Sequence, residues 1–308
     1  MFVVCGEALM DVFSTGTTPT GVTLDARVGG SPFNVALGLA RLAQPVAFLG
    51  GVSRGFLGER LMHALADEQV DTRAVWRSDA PTTLGLVGLN AAGAASYAFY
   101  GEGAADRLVP PQALDALPAD IAAIHIGSYN AVIEPVASTL RTLVSRHQGR
   151  SLVAYDPNIR LSVEPDLDRW REQLQWMLPR TQLLKISDED LASLYPGADP
   201  QEMASGWLAQ GVALVVLTRG ALGALAWTAS HQVQVPTVPV QVIDTVGAGD
   251  TFQAALLTWL AEHGALSAQA ISQLDAQALT QALEFAARAA AITCSRRGAD
   301  MPRRAELS

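Results

Sequence analysis

Apolar and polar positions follow two different rhythms along this chain. The N-terminal Met-Phe-Val-Val-Cys-Gly is a short apolar run and reads as a buried strand. Residues 14–28 are rich in Thr and Gly, and Val22, Leu24, Ala26 and Val28 alternate with their neighbours, the pattern of a half-exposed hairpin. The spacing then predicts a short amphipathic helix over 34–42, a strand over 46–50 and a helix over 56–68. Residues 82–89 and 96–100 flank Asn90-Ala-Ala-Gly93, which predicts a second hairpin.

From residue 121 the rhythm changes to alternating strands and helices. Strands are predicted over 121–126, 151–155, 182–186 and 214–218, and helices over 135–146, 167–177, 188–194 and 201–210. A Gly-rich turn at 219–223 leads into a hairpin that runs to 240, and helices follow over 249–262 and 276–292. Alternating β and α units imply an α/β fold, a doubly wound, mostly parallel sheet covered on both faces. The two early hairpins, about 12–30 and 80–107, stand outside that rhythm and read as a small β-sheet lid. No linker, repeat or low-complexity tract divides residues 1–308, so one domain is expected.

Composition narrows the function. With 49% hydrophobic and 17% charged residues, the chain is globular and not disordered. Its net charge of −9 argues against nonspecific nucleic-acid binding, which needs a basic field. Among its 21 basic residues only Lys185 is a lysine. It is preceded by Gln-Leu-Leu and followed by Ile, so no Walker-type phosphate loop is present. Cys5 and Cys294 are far apart and form no metal or redox motif, which fits reduced thiols in a cytoplasm. Glu7 interrupts the first apolar stretch before it reaches signal-peptide length, and no stretch is apolar enough for a membrane span.

The stretch richest in chemistry is Asp244-Thr-Val-Gly-Ala-Gly-Asp-Thr-Phe-Gln-Ala-Ala255. It lies between a β-rich segment and an apolar-periodic helix, so its turn sits at a helix N-terminus. Free N–H groups and the helix dipole favour an anion there. Gly247, Ala248 and Gly249 let that anion approach the backbone closely. Asp250 then lies beside it in the first helical turn. A carboxylate repels a phosphate, so a general base accounts for the pairing where stability does not. A helix-capping acid is the alternative for a lone Gly-Asp turn.

That stretch closely resembles the C-terminal signature of the ribokinase-like, PfkB-type carbohydrate kinases. Gly29-Gly-Ser-Pro-Phe-Asn-Val-Ala36 resembles the N-terminal signature of the same family. The resemblance continues through Gly6-Glu7 with Asp11, Asp156-Pro-Asn-Ile-Arg160, the segment from Lys185 to Asp190, Thr218-Arg-Gly-Ala-Leu-Gly223 and Cys294-Ser-Arg-Arg-Gly-Ala299. It implies a ribokinase-like core of nine or ten strands with a β lid, and a sugar kinase that uses ATP and magnesium. By that resemblance, Asp250 is the catalytic base, and Gly247, Ala248 and Gly249 form the anion hole for the transferring phosphate. Asp11, Gly29, Gly30 and Asn34 match positions that bind sugar hydroxyls. Lys185, Ser187 and Asp190 match the triphosphate segment, with Asp190 reaching magnesium through water. Many members carry Asn and Glu where Ser187 and Asp190 stand. Thr218, Gly220 and Gly223, with Gly249, match the nucleotide loop, and Ala287 stands where many members place an Asn near adenine. Asp244, Thr293 and Gly298 fall near a monovalent-cation site for potassium.

The phrases Gly6-Glu-Ala-Leu-Met-Asp11 and Tyr155-Asp-Pro-Asn-Ile-Arg160 are most similar to bacterial fructokinases. Relatives acting on 2-keto-3-deoxygluconate share the Arg160 position but carry a second Arg where this chain has Gly101. Glu102 follows it and would repel a sugar acid. A neutral hexose, fructose first, is therefore expected, with 2-keto-3-deoxygluconate or another substrate of the family as the alternative. Arg160 suits either substrate or the transferring phosphate. Arg107 could assist from the lid or be solvated, and Tyr97, Phe99 and Tyr100 could line the sugar pocket or pack the lid. Partners are the sugar and ATP, with no nucleic acid and no membrane, and a homodimer through the lid stays open. Two rivals stand beside this reading. Gly51-Val-Ser53-Arg-Gly55 fits a nucleophile elbow and would make a serine hydrolase, although too few strands precede it. A binding module that lost catalysis is opposed by the intact turn at Asp250.

Overall fold

Strand runs such as Phe2–Cys5 and Val46–Leu49 are buried at every residue. Runs that are apolar on both faces belong in a sheet covered on both sides. The computed structural model describes residues 1–89 and 95–307, so the turn expected at 90–93 lies outside the described residues, as does the side chain of Tyr97. The elements in chain order are β1 (Phe2–Cys5), β2 (Leu9–Thr18), β3 (Gly21–Gly29), α1 (Ser31–Arg41), β4 (Val46–Leu49), β5 (Gly51–Ser53), α2 (Phe56–Asp67), β6 (Trp76–Ser78), β7 (Leu84–Leu89) and β8 (Ala95–Tyr100). Then follow β9 (Ala123–Gly127), α3 (Val136–His147), β10 (Leu152–Asp156), α4 (Leu167–Met177), β11 (Leu183–Ser187), α5 (Asp188–Leu194), α6 (Pro200–Ala209) and β12 (Leu214–Thr218). The chain closes with β13 (Ala224–Trp227), β14 (Gln232–Val235), α7 (Ala248–Glu262), α8 (Ala268–Ser272) and α9 (Ala276–Cys294).

The main sheet has eight strands among the described residues, in the order β14-β13-β12-β11-β10-β9-β1-β4. All its pairings are parallel except those of β13 and β14 at one edge. The count falls below the nine or ten implied by resemblance, because β5 and β6 pair with each other as a separate ribbon. Successive side chains on β1 enter opposite cores. Phe2 and Val4 pack with α1, α2, α7 and α9, while Val3 and Cys5 pack with α3 to α6. The doubly wound, mostly parallel sheet read from the sequence is therefore the one observed.

A second sheet of four strands, in the order β3-β2-β7-β8, carries both early hairpins. Its register places Asp11 opposite Arg27 on one side and Gly85 on the other. Most boundaries lie within one or two residues of the pattern reading, and three differences go further. α1 starts at Ser31, three residues early, because Pro32 in the first turn has no N–H to lose there. The late hairpin ends at Val235 and not at 240, since Pro236 and Pro239 cannot donate to a ladder. The short α8 had no signal strong enough to be read.

The strand order also says where a ligand should bind. From β1 the chain moves to β4 on one side, then returns to β9 on the other and continues outward to β12. The order thus reverses at β1. In open α/β sheets the crevice beyond the carboxyl ends at such a point is the place for a ligand. Glu7 follows β1 there, and Ser128 follows β9. Leu65, fully buried in α2, lies outside the residues that line that crevice. Leu65→Ala should cost about 2–5 kcal/mol in urea unfolding while leaving the crevice intact.

Candidate active site

A cleft of about 770 Å³ opens beyond the carboxyl ends of β1, β9, β10 and β11, under the small sheet. A second cavity of about 500 Å³ adjoins it, and Ser187, Thr218, Thr245 and Gly249 line both. Asp250 lies at the junction, in the first turn of α7. The turn before it needs glycine: Gly247 has φ 77°, and a Cβ there would come within 2.5 Å of the Ala299 Cβ. The Ala248 N–H is already spent, donating to the Thr245 carbonyl at 3.2 Å. Gly247 and Gly249 donate to no protein group among the described residues, as expected of a helix start. Of the three expected anion-hole residues, two therefore present N–H groups, and Ala248 would have to release Thr245 first.

The Asp250 carboxylate is gripped from a second helix. Ser31 Oγ donates to its Oδ1 at 2.6 Å, and Asn34 Nδ2 donates to its Oδ2 at 2.8 Å. Both donors sit in the first turn of α1, held there by the Asn34 N–H bond to the Gly30 carbonyl at 2.8 Å. Burial pushes the Asp250 pKa up, and the Ser31, Asn34 and Lys185 groups partly oppose this. Asn34, matched to a sugar-binding position, thus has a contact that pattern alone did not foresee. Ser31 was not among the expected site residues, although it stands inside the quoted signature.

Lys185 projects from β11 and is almost wholly buried. Its Nζ donates to Asp156 Oδ2 at 2.5 Å, and it lies 3.6 Å from where a Cβ on Gly249 would be. The single lysine therefore sits beneath the anion turn, paired with the acid that heads Asp156-Pro-Asn-Ile-Arg160. Asp156 Oδ1 is buried in the cleft wall without a partner among the described residues. Ser187 caps α5 by accepting the Asp190 N–H at 3.0 Å, and Asp190 Oδ1 accepts the Ile159 N–H at 3.1 Å. Burial first, then Asp156, pushes Asp190 up to about 6, against the pull of Arg160.

The other end of the cleft is strongly acidic. Asp11 on β2 faces inward between two glycines of neighbouring strands. A Cβ on Gly29 would fall 2.1 Å from Asp11 Oδ2, and one on Gly85 would fall 3.0 Å from Oδ1. Burial, with Asp250 as the next cause, raises Asp11 to about 7, and Arg160 opposes. Gly30, at φ 105°, passes so close to the Glu7 carbonyl that a Cβ would lie 2.6 Å away. Glu7 is buried, and its Oε1 accepts the Ser31 N–H at 3.2 Å. Asp106 lies behind, taking the Thr83 and Tyr129 hydroxyls at 2.5 and 2.8 Å. Tyr129 meets Phe99 edge-on and has the Arg107 guanidinium 5.4 Å from its ring centre. A Cβ on Gly101 would press on Thr83 at 2.4 Å and on Arg107 Nη2 at 2.9 Å, so a side chain there would have to displace both. Glu7, Asp156, Ser31 and Tyr129 were missed as site residues: three stand in the quoted motifs, and Tyr129 carried no motif signal.

The second cavity is more apolar. Thr218, Gly220 and Gly223 line one side, and Val238, Ala287 and Ala290 line others. Gly223, at φ 82°, has no room for a Cβ, which would fall 2.1 Å from the Val235 carbonyl. Asp244 and Gly298 come together, since Asp244 Oδ2 accepts the Gly298 N–H at 2.8 Å. The Thr293 hydroxyl turns elsewhere, to Thr251 at 2.9 Å. Ser53 is buried, accepts the Gly55 N–H at 3.0 Å and lines neither cavity, so it is the turn into α2 and not a nucleophile.

The chain matches the family model "pfkB family carbohydrate kinase" over residues 1–305. It is 36% identical to a fructokinase of Rhizobium leguminosarum bv. trifolii, over 91% of this chain and 85% of that protein. Its structure is similar to that of a Xylella fastidiosa fructokinase with bound ATP, at TM-score 0.90 and 28% identity, covering 99% and 96% of the two chains. It is also similar to a Vibrio cholerae O395 fructokinase bound to fructose, ADP and calcium, at TM-score 0.83 and 25% identity, covering 99% and 97%. With both signature turns meeting at one carboxylate and the family model running almost end to end, the chain belongs to the PfkB family of carbohydrate kinases.

Proposed function

We propose that this chain is an ATP-dependent kinase of a neutral hexose, with fructose as its substrate. The observation that carries this is Asp250, fixed between the N-termini of α1 and α7 where an acidic, polar cleft meets an apolar cavity. The cleft takes the sugar, with Asp11, Gly29, Gly30 and Asn34 around it, and the four-stranded sheet acts as its lid. The cavity takes the adenine through Ala287, Ala290 and Val238, and Thr218, Gly220 and Gly223 carry the nucleotide's polar part.

The chemistry is an in-line displacement. A sugar hydroxyl attacks the γ-phosphorus of ATP as its proton passes to Asp250, and the bond to the ADP oxygen breaks. Gly247 and Gly249 N–H groups meet the charge that develops on the transferring group. Lys185 lies beneath the same turn and adds its positive charge, and Arg160 faces the junction from the cleft. Lid closure excludes water and limits hydrolysis of ATP.

Magnesium fits the oxygen donors present, which are the Asp190 carboxylate and the unpartnered Asp156 Oδ1. No cluster of three acidic, His or Cys side chains suited to a metal occurs among the described residues, so phosphates and water would complete its shell. When bound, it neutralises phosphate charge. Asp244 has both oxygens engaged by backbone N–H groups, so potassium near Asp244, Thr293 and Gly298 would be held by backbone carbonyls.

A neutral sugar is favoured over 2-keto-3-deoxygluconate by charge. Glu7, Asp11 and Asp250 line the cleft toward the proposed sugar end, Arg160 opposes Glu7 and Asp11 there, and Arg107 opposes Asp106 behind it. A substrate carboxylate would join that crowd, and a cationic side chain at Gly101 would have to displace Thr83 and Arg107. Val22 and Leu24 are exposed on the outer hairpin of the lid, the surface a homodimer would use. No helix among the described residues is long and apolar enough to cross a membrane, and the two free thiols suit a reducing cytoplasm.

Asp250→Asn should lower kcat with fructose by roughly 10²–10⁴-fold while ATP still binds in calorimetry. Near-normal turnover would refute Asp250 as the base. Gly29→Ala drives a Cβ into the Asp11 carboxylate and should raise the KM for fructose by about tenfold or more with the KM for ATP unchanged. The pH profile follows from the same acids. A base acts ionised, and burial holds Asp250 above the ordinary range and Asp11 at about 7. Activity, kcat/KM for fructose, should therefore fall as pH drops below about 7, not near the ordinary carboxylate value of about 4. Asp11→Asn should remove the part of that fall centred near 7.

A further inference from the structure

Glu7 is the most deeply buried acid of the cleft, only 1% exposed. α1 has no side-chain cap of its own, since Gly30 occupies the capping position. Glu7, reaching over from the end of β1, supplies that cap: its Oε1 accepts the Ser31 N–H at 3.2 Å. The same residue, Ser31, donates its hydroxyl to Asp250 Oδ1 at 2.6 Å. Ser31 is therefore held through its backbone by Glu7 and holds Asp250 through its side chain. The two segments interlock with little slack. A Cβ on Gly6 would meet Pro32 Cγ at 2.3 Å, and one on Gly30 would meet Glu7 Cγ at 3.2 Å.

We propose that Glu7 is a positioning residue for the general base, acting through Ser31 to set where the Asp250 carboxylate stands. This rests on the reading of Asp250 as that base. Displacing a catalytic group by about 1 Å costs on the order of 10²-fold in rate, so a firm hold on Ser31 has a kinetic value apart from stability. The protonation state agrees. Burial raises Glu7 to about 8; Ser128 and Arg160 oppose, while Asp106 adds to the rise, and Tyr129 also faces it. At neutral pH Glu7 is thus a neutral acid. It caps α1 without adding another charge beside Asp11 and Asp250. Its Oε2 is unpartnered among the described protein groups and lines the cleft.

The test compares Glu7→Met, which fills the volume without an acceptor for Ser31, with Glu7→Gln, which keeps one. Glu7→Met should lower kcat by about 10- to 100-fold with the KM for ATP within twofold, and Glu7→Gln should restore most of that loss. Ser31→Ala breaks the next link, so Glu7→Met added to Ser31→Ala should cost no more than about threefold further. Should Glu7→Met not fold, Glu7→Asp replaces it, because its shorter carboxyl cannot reach the Ser31 N–H. Wild-type kcat retained in these variants, Glu7→Gln falling as far as Glu7→Met, or fully additive losses would each overturn the proposal. An active Asp250→Asn would instead overturn the reading of the base, so the two failures are distinguishable. The protonation state has its own readout. An acid whose pKa is raised by folding makes the fold less stable as pH climbs from its unfolded value to its folded one. Wild type should therefore lose melting temperature relative to Glu7→Gln between pH 5 and about 8, and not beyond.

Discussion

Two helices, α1 and α7, direct their N-termini at one carboxylate. Everything in the site depends on that meeting. A helix start leaves N–H groups without partners, and a positive partial charge collects there. α1 spends its first turn on Asp250, through Ser31 and Asn34. α7 leaves the Gly247 and Gly249 N–H groups without a protein acceptor among the described residues. In the proposed reaction the carboxylate can remain near an incoming phosphate because two donors hold it, and burial raises its proton affinity. The sheet topology brings the helices together: strand order reverses at β1, and the crevice that results is where both can point.

Charge is distributed unevenly along the cleft. Lys185 is paired with Asp156 at the phosphate end, and Arg160 is drawn electrostatically toward Glu7, Asp11 and Asp190. The pairing explains why one lysine persists in a chain otherwise furnished with arginine. The compact Lys185 ammonium meets Asp156 Oδ2 at 2.5 Å and lies 3.6 Å from where a Cβ on Gly249 would be, a placement that a planar guanidinium on a different stem would not reproduce. At the end of the cleft proposed for the sugar, Glu7 and Asp11 outnumber Arg160. Protonation relieves this crowding for Glu7, and Asp11 sits close to its midpoint at neutral pH. A polyol suits such a place, since it can both donate to acids and accept from them without bringing charge.

Much of this was legible in the residues. Alternation against continuous burial separated the lid hairpins from the parallel core, because side chains on a half-exposed strand must alternate and those on a doubly covered strand need not. The turn at 247–250 could be placed at a helix N-terminus from its glycines and the apolar-periodic helix that follows, which is where it stands. Other features were invisible in one dimension. Gly29 reads as part of a turn, but its reason is Asp11, eighteen residues away and diagonal to it across the small sheet, whose carboxylate reaches the space a Cβ would fill. Ser53 fits a nucleophile motif, and only its burial and its bond to the Gly55 N–H show it to be a turn residue. Thr293 stood in the phrase assigned to a cation site, yet its hydroxyl joins α9 to α7.

By itself the sequence determined most of the elements and the family signatures, because these follow from local periodicity and from residue types at short spacing, and the resemblance those signatures carry pointed to Asp250 as the proposed base. The tertiary structure alone decided which groups touch that base. Ser31 and Asn34 lie more than two hundred positions from Asp250. Their contact arises from the order of strands, which no short window of sequence contains. It decided the protonation of Glu7 and Asp11 as well, since burial and neighbouring charge set a pKa and both exist only in the folded chain.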